Sequence, residues 1–304
     1  MNYDVIGDIH GHADALHRLL ARLDYREQDG AYRHASRKVI FLGDFIDRGP
    51  EQVEVLSVVR AMARAGTARA IMGNHEFNAL GWATPNGTGG FLRPHTEKNE
   101  KQHAAFLAQI GERSPAHCEA LAWFASLPVW LDLGGLRMVH ACWHAASQAC
   151  LVATCLDAAG CFHEKGLRKA YRGGTPEHLA ADVLLKGPEV RLPVGHSFRD
   201  KDGHTRHEAR LRWWDREAKT FRLAALGLDG RRSELPDDPV PHDYHYQEAV
   251  PVMFGHYWLS GRPQLLSPTA SCLDFSVAKG GVLTAYRWSG ESILSNDNLV
   301  WVAA

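Results

Sequence analysis

Carboxylate, amide and imidazole side chains recur in this sequence directly after short apolar stretches. The segments that carry them read Gly7-Asp8-Ile9-His10-Gly11, Gly43-Asp44-Phe45-Ile46-Asp47-Arg48-Gly49, Gly73-Asn74-His75-Glu76, Val139-His140 and Gly255-His256. Their oxygen and imidazole ligands suit divalent cations of hard to borderline character, and the glycines let the backbone approach a bound ligand closely. A single Asp or Asn after a strand could be no more than a helix N-cap. Five such segments in one chain predict a metal site.

Three repeats of strand, polar loop and helix must position the first three segments. We predict strands at residues 3–6, 38–42 and 69–72, each followed by a polar loop and a helical pattern. Further strands are predicted at residues 129–133, 136–140, 250–254, 272–275, 281–288 and 299–302, and helices at residues 100–110 and 116–127. His140 and His256 therefore also stand at strand ends. Ligands of layered α/β domains bind at the carboxyl ends of the strands, which is where the polar side chains would gather.

The segment from about residue 145 to residue 248 differs in texture from the rest of the chain. Its pattern is helical to about residue 186, and residues 187–243 are dense in Gly, Pro, Asp and Arg, with aromatic runs that favour short strands. We therefore predict a single domain over residues 1–304 that carries an accessory insertion, a cap or wall, at about 145–248. Trp213 and Trp214 could stack a nucleobase there, although packing in a core is the favoured interpretation.

The composition excludes several classes of protein. There are 34 Lys and Arg against 35 Asp and Glu, a formal charge of −1, so no strong nucleic-acid-binding signal is present. Hydrophobic residues make up 45% and charged residues 23%, which excludes global disorder. The 18 histidines invite a search for metal or acid–base chemistry.

The apolar and cysteine patterns predict a cytoplasmic protein without a membrane contact. No stretch approaches the ~20 apolar residues of a spanning helix, and the N-terminus lacks a signal-peptide pattern. Six cysteines in a chain of 304 residues do not form a disulfide framework. A zinc module at Cys150, Cys155, Cys161 and His163 is an alternative, although the cysteine spacings are wider than in the usual zinc knuckle.

The five metal-capable segments, in this order, resemble those of the calcineurin-like metallophosphoesterase superfamily. Within it, the resemblance is to the branch that holds phosphoprotein phosphatases and symmetrical dinucleoside tetraphosphatases. Leu273-Asp274-Phe275 and the run from Gly280 to Ala285 look like the closing strand pair of that family. The similarity covers about residues 1–145 and 248–290. It implies an α/β fold in four layers, an α-β-β-α sandwich with the accessory insertion.

The resemblance also implies a centre of two divalent metal ions. Asp8 and His10 would bind the first ion, and Asn74, His140 and His256 the second. Asp44 would bridge both. Two cations about 3.5–4 Å apart clamp the attacking and leaving oxygens of an in-line displacement, and a bridging water becomes hydroxide near neutral pH. Mn²⁺ is the expected ion, with Fe or Zn as alternatives.

Three further residues are implied to act on the substrate. Arg48, with Asn74, would bind the phosphate, Arg48 through its planar guanidinium fork. His75, oriented by Asp47, would be the general acid for the leaving alkoxide. The competing interpretations are that Asp47 and Arg48 form only a structural ion pair and that His75 merely orients groups near the metals.

Two assignments stay open from the sequence. Pro193-Val194-Gly195-His196 also reads as a strand end, so His196 rivals His256 as the last metal ligand. We favour His256 because the closing strands follow it directly. Phosphoprotein phosphatases have a second phosphate-binding arginine between the two late histidines. Spacing does not choose among the candidates here, which are Arg168, Arg172, Arg191 and Arg199.

We therefore expect a metal-dependent phosphoesterase that hydrolyses phosphomonoesters, including phosphoserine and phosphothreonine in proteins. The alternative substrate is the anhydride of a dinucleoside polyphosphate. A non-catalytic protein that binds a phosphorylated ligand is a further possibility, but such degeneration usually removes metal ligands, and all six are present. In each case the expected partner is a phosphorylated compound.

Overall fold

Two β-sheets carry the metal-capable loops. The computed structural model describes residues 2–199, 205–227, 234–240 and 244–304. The larger sheet contains β1 (Asn2–Ile6), β4 (Arg37–Phe41), β5 (Ala68–Ala70), β14 (Asp274–Phe275), β15 (Val282–Trp288) and β16 (Leu299–Ala303). β1, β4 and β5 run parallel, and β15 pairs antiparallel with β1, β14 and β16. The loops after the three parallel strands therefore open at one edge of the sheet, as predicted.

The smaller sheet brings the two late histidines to a comparable edge. It contains β6 (Trp130–Asp132), β7 (Arg137–Val139), β12 (Val252–Phe254) and β13 (Ala270–Cys272), in the order β13-β12-β7-β6. β12 is parallel to both β7 and β13, while β6 pairs antiparallel with β7. His140 follows β7 and His256 follows β12 with one intervening glycine.

Alternation along the strands produces the four layers. Tyr3, Val5, Ile40, Met138, Met253 and Tyr286 belong to one buried cluster that contains residues of both sheets. Their strand neighbours Ile6, Val39, Phe41, Val139 and Phe254 belong to a second cluster that they share with the helices. Because successive strand residues point to opposite faces, each sheet packs against the other on one face and against helices on its other face. This is the predicted α-β-β-α sandwich.

The helices follow the apolar periodicity, with ends set by local signals. They are α1 (Ala13–Arg22), α2 (Gln52–Arg64), α3 (Asn74–Ala83), α4 (Glu97–Ile110), α5 (Pro115–Ala125), α6 (Ala145–Thr154), α7 (Glu164–Ala170), α8 (Pro176–Lys186) and α9 (Phe221–Ala224). α4 begins three residues before the predicted start because the Thr96 side chain accepts a hydrogen bond from the Asn99 N–H and caps the helix. Among the described residues, no helix has both the length and the apolar composition needed to cross a membrane.

The accessory segment has two structural parts. Helices α6, α7 and α8 contribute buried residues to the main helical cluster. Beyond them, β8 (Glu189–Arg191) pairs with β11 (Glu208–Arg210), and β9 (Phe198–Arg199) pairs with β10 (Thr205–Arg206). These strands surround a small apolar cluster of their own. A hairpin of β2 (Arg26–Gln28) and β3 (Ala31–Arg33) lies elsewhere, between α1 and β4. Within the predicted insertion, residues 200–204, 228–233 and 241–243 lie outside the described part.

Trp213 and Trp214 join the accessory segment to the smaller sheet. Both are buried in a turn, not in a strand, and their rings pack against Phe254 of β12. The Trp213 indole N–H also donates a hydrogen bond to the Tyr257 hydroxyl at 2.9 Å. Burial removes both rings from the surface on which a nucleobase could stack, so the packing interpretation is the one that the structure supports.

Candidate metal centre

Left-handed backbone geometry is concentrated in the metal-capable loops. Ten described non-glycine residues have a positive φ, and six of them lie in or beside these loops. They are His10, Asp44, Asp47, Arg48, His256 and Trp258. Non-glycine residues in this region are uncommon, and such strain persists where the surrounding structure enforces it, often at functional sites. The loops turn sharply enough to direct their side chains towards one place.

Asp44 lies at the centre of that place. Its Oδ2 atom is 3.5 Å from His10 Nε2, 3.4 Å from His140 Nε2 and 3.9 Å from His75 Nε2. Among the described residues, two groups of side chains are close enough to hold an ion: Asp44 with His10 and His75, and Asp44 with His140 and His256. Asp44 is the member that they share, which is the arrangement expected of a bridging ligand.

Asn74 contacts both histidines of the second group, whereas Asp8 lies beside that group without belonging to either, and the first group contains His75 where Asp8 was predicted. Asn74 Oδ1 lies 3.0 Å from His140 Nε2 and 2.7 Å from His256 Nδ1. Asp8 Oδ2 accepts a hydrogen bond from the backbone N–H of His256 at 2.9 Å. A side chain at Gly255 would collide with the Asp8 carboxylate, so only glycine lets the β12 loop approach so closely. All six predicted metal ligands are therefore brought together, while their roles as ligands stay a prediction.

Backbone carbonyls orient two of the histidines towards Asp44. His10 Nδ1 lies 2.9 Å from the Ile46 carbonyl oxygen, and His140 Nδ1 lies 2.8 Å from that of Leu42. A carbonyl oxygen can only accept, so Nδ1 carries the proton in both rings and Nε2 faces the centre. Metal-binding histidines are commonly held in this way, with the second nitrogen donating to a carbonyl or carboxylate.

Three buried polar atoms of the centre lack a hydrogen-bond partner among the described residues, and a bound metal would supply one. Asp8 Oδ1, His10 Nε2 and His256 Nε2 are buried and have no hydrogen-bond partner among the described residues. Buried polar atoms without partners are rare and energetically costly. Divalent cations bound between these oxygen and nitrogen atoms would satisfy all three, and the mixture of carboxylate, amide and imidazole is one that such ions accept.

The pKa shifts of the side chains at the centre also favour bound cations. Burial raises the pKa of Asp8 well above its ordinary value, and the neighbouring Asp274 carboxylate adds to the shift. Burial acts on Asp44 in the same sense, but the charges of His140, His75 and His10 outweigh it and hold its pKa well below the usual range. The Asp44 charge in turn overcomes the effect of burial on His140 and raises its pKa to about 10. Protons and cations would compete for these atoms.

Asp47 links two histidines beside the centre. Its Oδ2 accepts from His75 Nδ1 at 2.5 Å, and its Oδ1 accepts from His103 Nδ1 at 2.8 Å. Burial opposes the ionisation of Asp47, but the hydrogen bonds from His103 and His75 outweigh it and lower its pKa to about 2. Burial alone would lower the pKa of His75, whereas Asp44 and Asp47 raise it above its ordinary value. A charged carboxylate therefore holds His75 in place with its Nε2 towards Asp44.

His103 is a residue that the sequence interpretation left without a role. It lies on α4, far along the chain from Asp47, and only the packing of that helix against the loop brings the two together. One signal was available: Phe106 follows His103 by one helical turn and both are buried, so His103 stands on the inward face of the helix.

Glu76 is a second residue without a predicted role, although it belongs to one of the quoted segments. Its carboxylate accepts hydrogen bonds from the backbone N–H groups of Asp44, Phe45 and Gly73, at 2.8, 2.8 and 3.0 Å. The side chain is fully buried, and burial together with the nearby Asp44 charge raises its pKa to about 7. Glu76 thus ties the loop after β4 to the start of α3.

Replacing Glu76 with Ala should lower the free energy of unfolding by about 3 kcal/mol or more. Three buried N–H groups would lose their acceptor, and each such loss costs about 1–3 kcal/mol. Urea denaturation of the metal-free protein measures the change. Glu76→Gln keeps one acceptor oxygen and should give an intermediate loss, while Glu100→Ala at an exposed helix position should change the value by less than about 0.5 kcal/mol. An unchanged midpoint for Glu76→Ala would contradict this role for the carboxylate.

Arg48 is exposed at the rim of the centre. Its guanidinium carbon lies 4.1 Å from the centroid of the Trp258 ring, and among the described residues it forms no hydrogen bond or ion pair. The carboxylates of Asp44 and Asp47 act on its charge, although burial still lowers its pKa from the ordinary value. No ion pair joins Asp47 and Arg48, so the purely structural interpretation of this pair is not supported by the geometry.

Arg210 is the basic residue of the accessory segment that acts on the centre. Its charge, after burial, is the largest cause that lowers the pKa of His256, and its guanidinium carbon lies 6.0 Å from the Tyr257 ring centroid. It was absent from the predicted arginine candidates. Arg168, which was among them, donates instead to the Pro85 carbonyl and pairs with Glu164. Arg210 itself pairs with Glu189 at 2.9 Å, so an ion pair does not distinguish the two residues. We propose Arg210 as the second phosphate-binding arginine because it stands between His140 and His256 in sequence and its charge acts on His256.

The competing ligands lie apart from the centre. His196 occupies a turn of the accessory segment and belongs to neither of the two side-chain groups found in the described residues. Neither group contains a cysteine, and the six cysteines are free thiols. The His163 Nδ1 atom accepts from the Gly166 N–H and caps α7. The geometry therefore favours His256 as the last ligand and gives no support to a zinc module.

Comparison with known proteins agrees with the loops and the fold. The sequence model of the family described as calcineurin-like phosphoesterase matches residues 1–197. The asymmetrical bis(5'-nucleosyl)-tetraphosphatase of Oceanobacillus iheyensis is 40% identical over 76 residues, which are 25% of this chain and 30% of that protein. The chain thus matches less than a third of the length of that relative.

Other relatives match nearly end to end at lower identity. The symmetrical bis(5'-nucleosyl)-tetraphosphatase of Vibrio parahaemolyticus is 26% identical over 314 residues, covering 97% of this chain and 98% of that protein. A solved structure of a serine/threonine protein phosphatase from Saccharomyces cerevisiae is 13% identical with a TM-score of 0.50, and the match covers 100% of this chain and 79% of that one. At that identity the similarity shows a shared fold alone.

Proposed function

The chain belongs to the calcineurin-like phosphoesterase family, and we propose that it is a metal-dependent hydrolase of dinucleoside polyphosphates. One observation carries the choice of substrate: the Vibrio relative, which is named for a dinucleoside tetraphosphate, matches nearly the whole chain, including the long segment between His140 and His256. That segment is where we place substrate selection, because a shared metal centre alone does not distinguish one phosphate compound from another.

We propose that two divalent cations occupy the centre. Asp8 and His10 would hold one, Asn74, His140 and His256 the other, and Asp44 would contact both. Such cations neutralise charge on phosphoryl oxygens and lower the pKa of a bound water. Mn²⁺ is our first choice, and Fe and Zn accept the same mixture of ligands.

The chain's own groups would then position the substrate and move a proton. Arg48, exposed at the rim, would grip phosphate oxygens with its fork, and the Asn74 amide would contact the phosphate beside it. His75 would give the Nε2 proton to the departing oxygen. Asp47 holds the opposite face of that ring through Nδ1, so the proton-bearing nitrogen stays directed at the centre, as a general acid requires.

We further propose that about residues 145–248 form an insertion within a single domain and act as one wall of the substrate cleft. Support comes from Trp213, which packs against Phe254 and hydrogen-bonds to Tyr257, the neighbour of His256. Arg210, in the same segment, influences His256 electrostatically. A wall anchored beside the last metal ligand can contact any substrate that reaches the cations.

The phosphomonoester activity that the sequence favoured becomes the second candidate. The family includes the required metal chemistry, and the yeast phosphatase shares the fold. The near end-to-end relative is named for an anhydride substrate instead, so we give that substrate class precedence.

A substrate panel distinguishes the two candidates. With Mn²⁺ present, we expect kcat/KM for diadenosine tetraphosphate to exceed that for a phosphoserine peptide and for p-nitrophenyl phosphate by at least about tenfold, a difference of about 1.4 kcal/mol in transition-state binding. Chromatography of the products would show whether cleavage is symmetrical, giving ADP alone. EDTA should abolish all three activities. A preference for the phosphopeptide would overturn the substrate assignment and leave the family assignment intact.

A further inference from the structure

The backbone at Trp258 is hydrogen-bonded beside the metal centre to Asp274, which is not one of the proposed metal ligands. The Trp258 N–H donates to Asp274 Oδ2 at 2.7 Å, and the next residue, Leu259, donates its N–H to the Asp274 carbonyl at 3.0 Å. The Trp258 residue adopts a left-handed φ of 52°. The indole centroid lies 5.7 Å from that of the His10 ring. Trp258 therefore stands at the rim, next to a proposed metal ligand.

Two cationic side chains from separate loops contact the Trp258 ring. The Arg48 guanidinium carbon lies 4.1 Å from the ring centroid and the Lys279 ammonium nitrogen lies 4.4 Å from it. Arg48 comes from the loop after β4, and Lys279 ends the 3₁₀ helix Val277–Lys279 that follows β14. Both side chains are exposed. A cation over an indole face gains about 0.5–1 kcal/mol at such a site, so the ring fixes two flexible cationic side chains in place.

Bringing two like charges together costs energy that an anion between or beside them would recover. The two charges can be no farther apart than the sum of their distances to the ring centroid. The proposed function already assigns Arg48, with Asn74, to the phosphate at the metal centre, and this assignment does not involve Lys279. A lysine ammonium binds phosphate as a point charge, and from its place on the Trp258 ring that of Lys279 can contact a second phosphate linked to the first.

We propose that Lys279, held beside Arg48 on the Trp258 ring, forms a subsite for the phosphate adjacent to the one that is attacked. The ligand is a phosphoanhydride chain with at least two linked phosphates, and Lys279 is the residue that distinguishes it from a monoester. This inference rests on the proposed function of the metal centre and makes its substrate class more specific.

Binding of inorganic pyrophosphate and of orthophosphate tests the subsite without any need for turnover. Isothermal titration calorimetry of the full chain, loaded with Mn²⁺ at a fixed free concentration, gives both dissociation constants. We expect wild type to bind pyrophosphate more tightly than orthophosphate. Lys279→Ala should raise the dissociation constant for pyrophosphate about tenfold, in the range expected for one hydrogen bond to a charged group. The constant for orthophosphate should rise by less than about threefold.

Three variants complete the design. Lys279→Arg keeps the charge and should recover most of the pyrophosphate affinity. Trp258→Leu removes the ring that holds both cations and should weaken pyrophosphate binding at least as much as Lys279→Ala does. Lys165→Ala, at an exposed position on α7, should leave both constants as in wild type. Circular dichroism confirms that each variant is folded.

The possible outcomes distinguish failure of the anion subsite from failure of the proposed function. Equal losses of affinity for the two anions in Lys279→Ala, or no loss for either, would overturn the subsite. A loss that appears only with adenosine-containing ligands and not with pyrophosphate would mean that Trp258 serves a nucleobase, which also overturns it. If wild type binds pyrophosphate as predicted but hydrolyses neither p-nitrophenyl phosphate nor diadenosine tetraphosphate, the proposed function fails while the anion subsite stands.

Discussion

Replacing Asp44 with Asn should reduce Mn²⁺-supported hydrolysis of bis-p-nitrophenyl phosphate and p-nitrophenyl phosphate by about a thousandfold. Asp44 is the side chain common to both groups of metal-capable residues, and its Oδ2 lies within 4 Å of His10, His75 and His140. The amide has nearly the same shape but no charge. Metal-centred charge stabilisation supplies several kcal/mol in such reactions, and a loss of about 4 kcal/mol corresponds to about three orders of magnitude in rate.

Asp24→Asn is a matched control for this variant. Asp24 is exposed and also has a left-handed φ, 68° against 52° for Asp44, and Asn tolerates that region. The control should retain wild-type rates. Elemental analysis of the Mn²⁺-loaded proteins should find less than two ions per chain in Asp44→Asn only. Equal rates for wild type and Asp44→Asn would remove the basis for a metal-bridging carboxylate, and with it the proposed function.

The convergence of the six proposed ligands could be predicted from the sequence because each of them lies at or just after the end of a predicted strand. Loops that follow parallel neighbours in a sheet open at the same edge, so Asp8, Asp44 and Asn74 needed no long-range information. His140 and His256 required one more assumption, that their strands belong to an adjoining sheet. The family resemblance supplied that assumption, and the pairing of β7 with β12 agrees with it.

The residues that escaped prediction are those whose partners come from distant segments. His103 acquires its role when α4 packs against the loop after β4, and Arg210 when the accessory strands fold beside His256. Neither position shows a motif, since a buried histidine on a helix face and an arginine on a short strand are ordinary features. Lys279 and Trp258 similarly meet across two loops. A local sequence pattern cannot predict contacts between residues of distant segments.

The helical pattern from residue 150 to residue 186 illustrates a different limit. Apolar periodicity runs through the region, but the structure divides it into three helices. The divisions coincide with capping groups: the His163 ring and the Thr175 hydroxyl each accept a backbone N–H at a new helix start. Pro176 then occupies the first turn of α8, where its missing N–H costs nothing. Capping residues mark these helix starts, whereas apolar periodicity alone does not show where one helix ends and the next begins.

His75→Asn should impair hydrolysis in proportion to how poorly the leaving group departs. Positioned general acids contribute about 10²–10⁴-fold, so we expect about a hundredfold loss of kcat for phenyl phosphate. The loss for p-nitrophenyl phosphate should be about tenfold or less, because p-nitrophenol is a stronger acid than phenol and leaves without a proton. The departing phosphate of a nucleotide anhydride has a pKa near 6, so diadenosine tetraphosphate should resemble p-nitrophenyl phosphate in this comparison.

His103, the other histidine that is hydrogen-bonded to Asp47, provides a second variant for this test. His103→Ala leaves His75 and Asp47 in place but removes the hydrogen bond to Asp47 Oδ1, so its losses should be smaller and follow the same leaving-group order. His207→Asn, at an exposed position of the accessory segment, should show no such dependence. Equal losses for phenyl and p-nitrophenyl phosphate in His75→Asn would instead mean that this ring orients groups near the metals. In that case Asp47 and His103 would serve the shape of the centre and not the transfer of a proton.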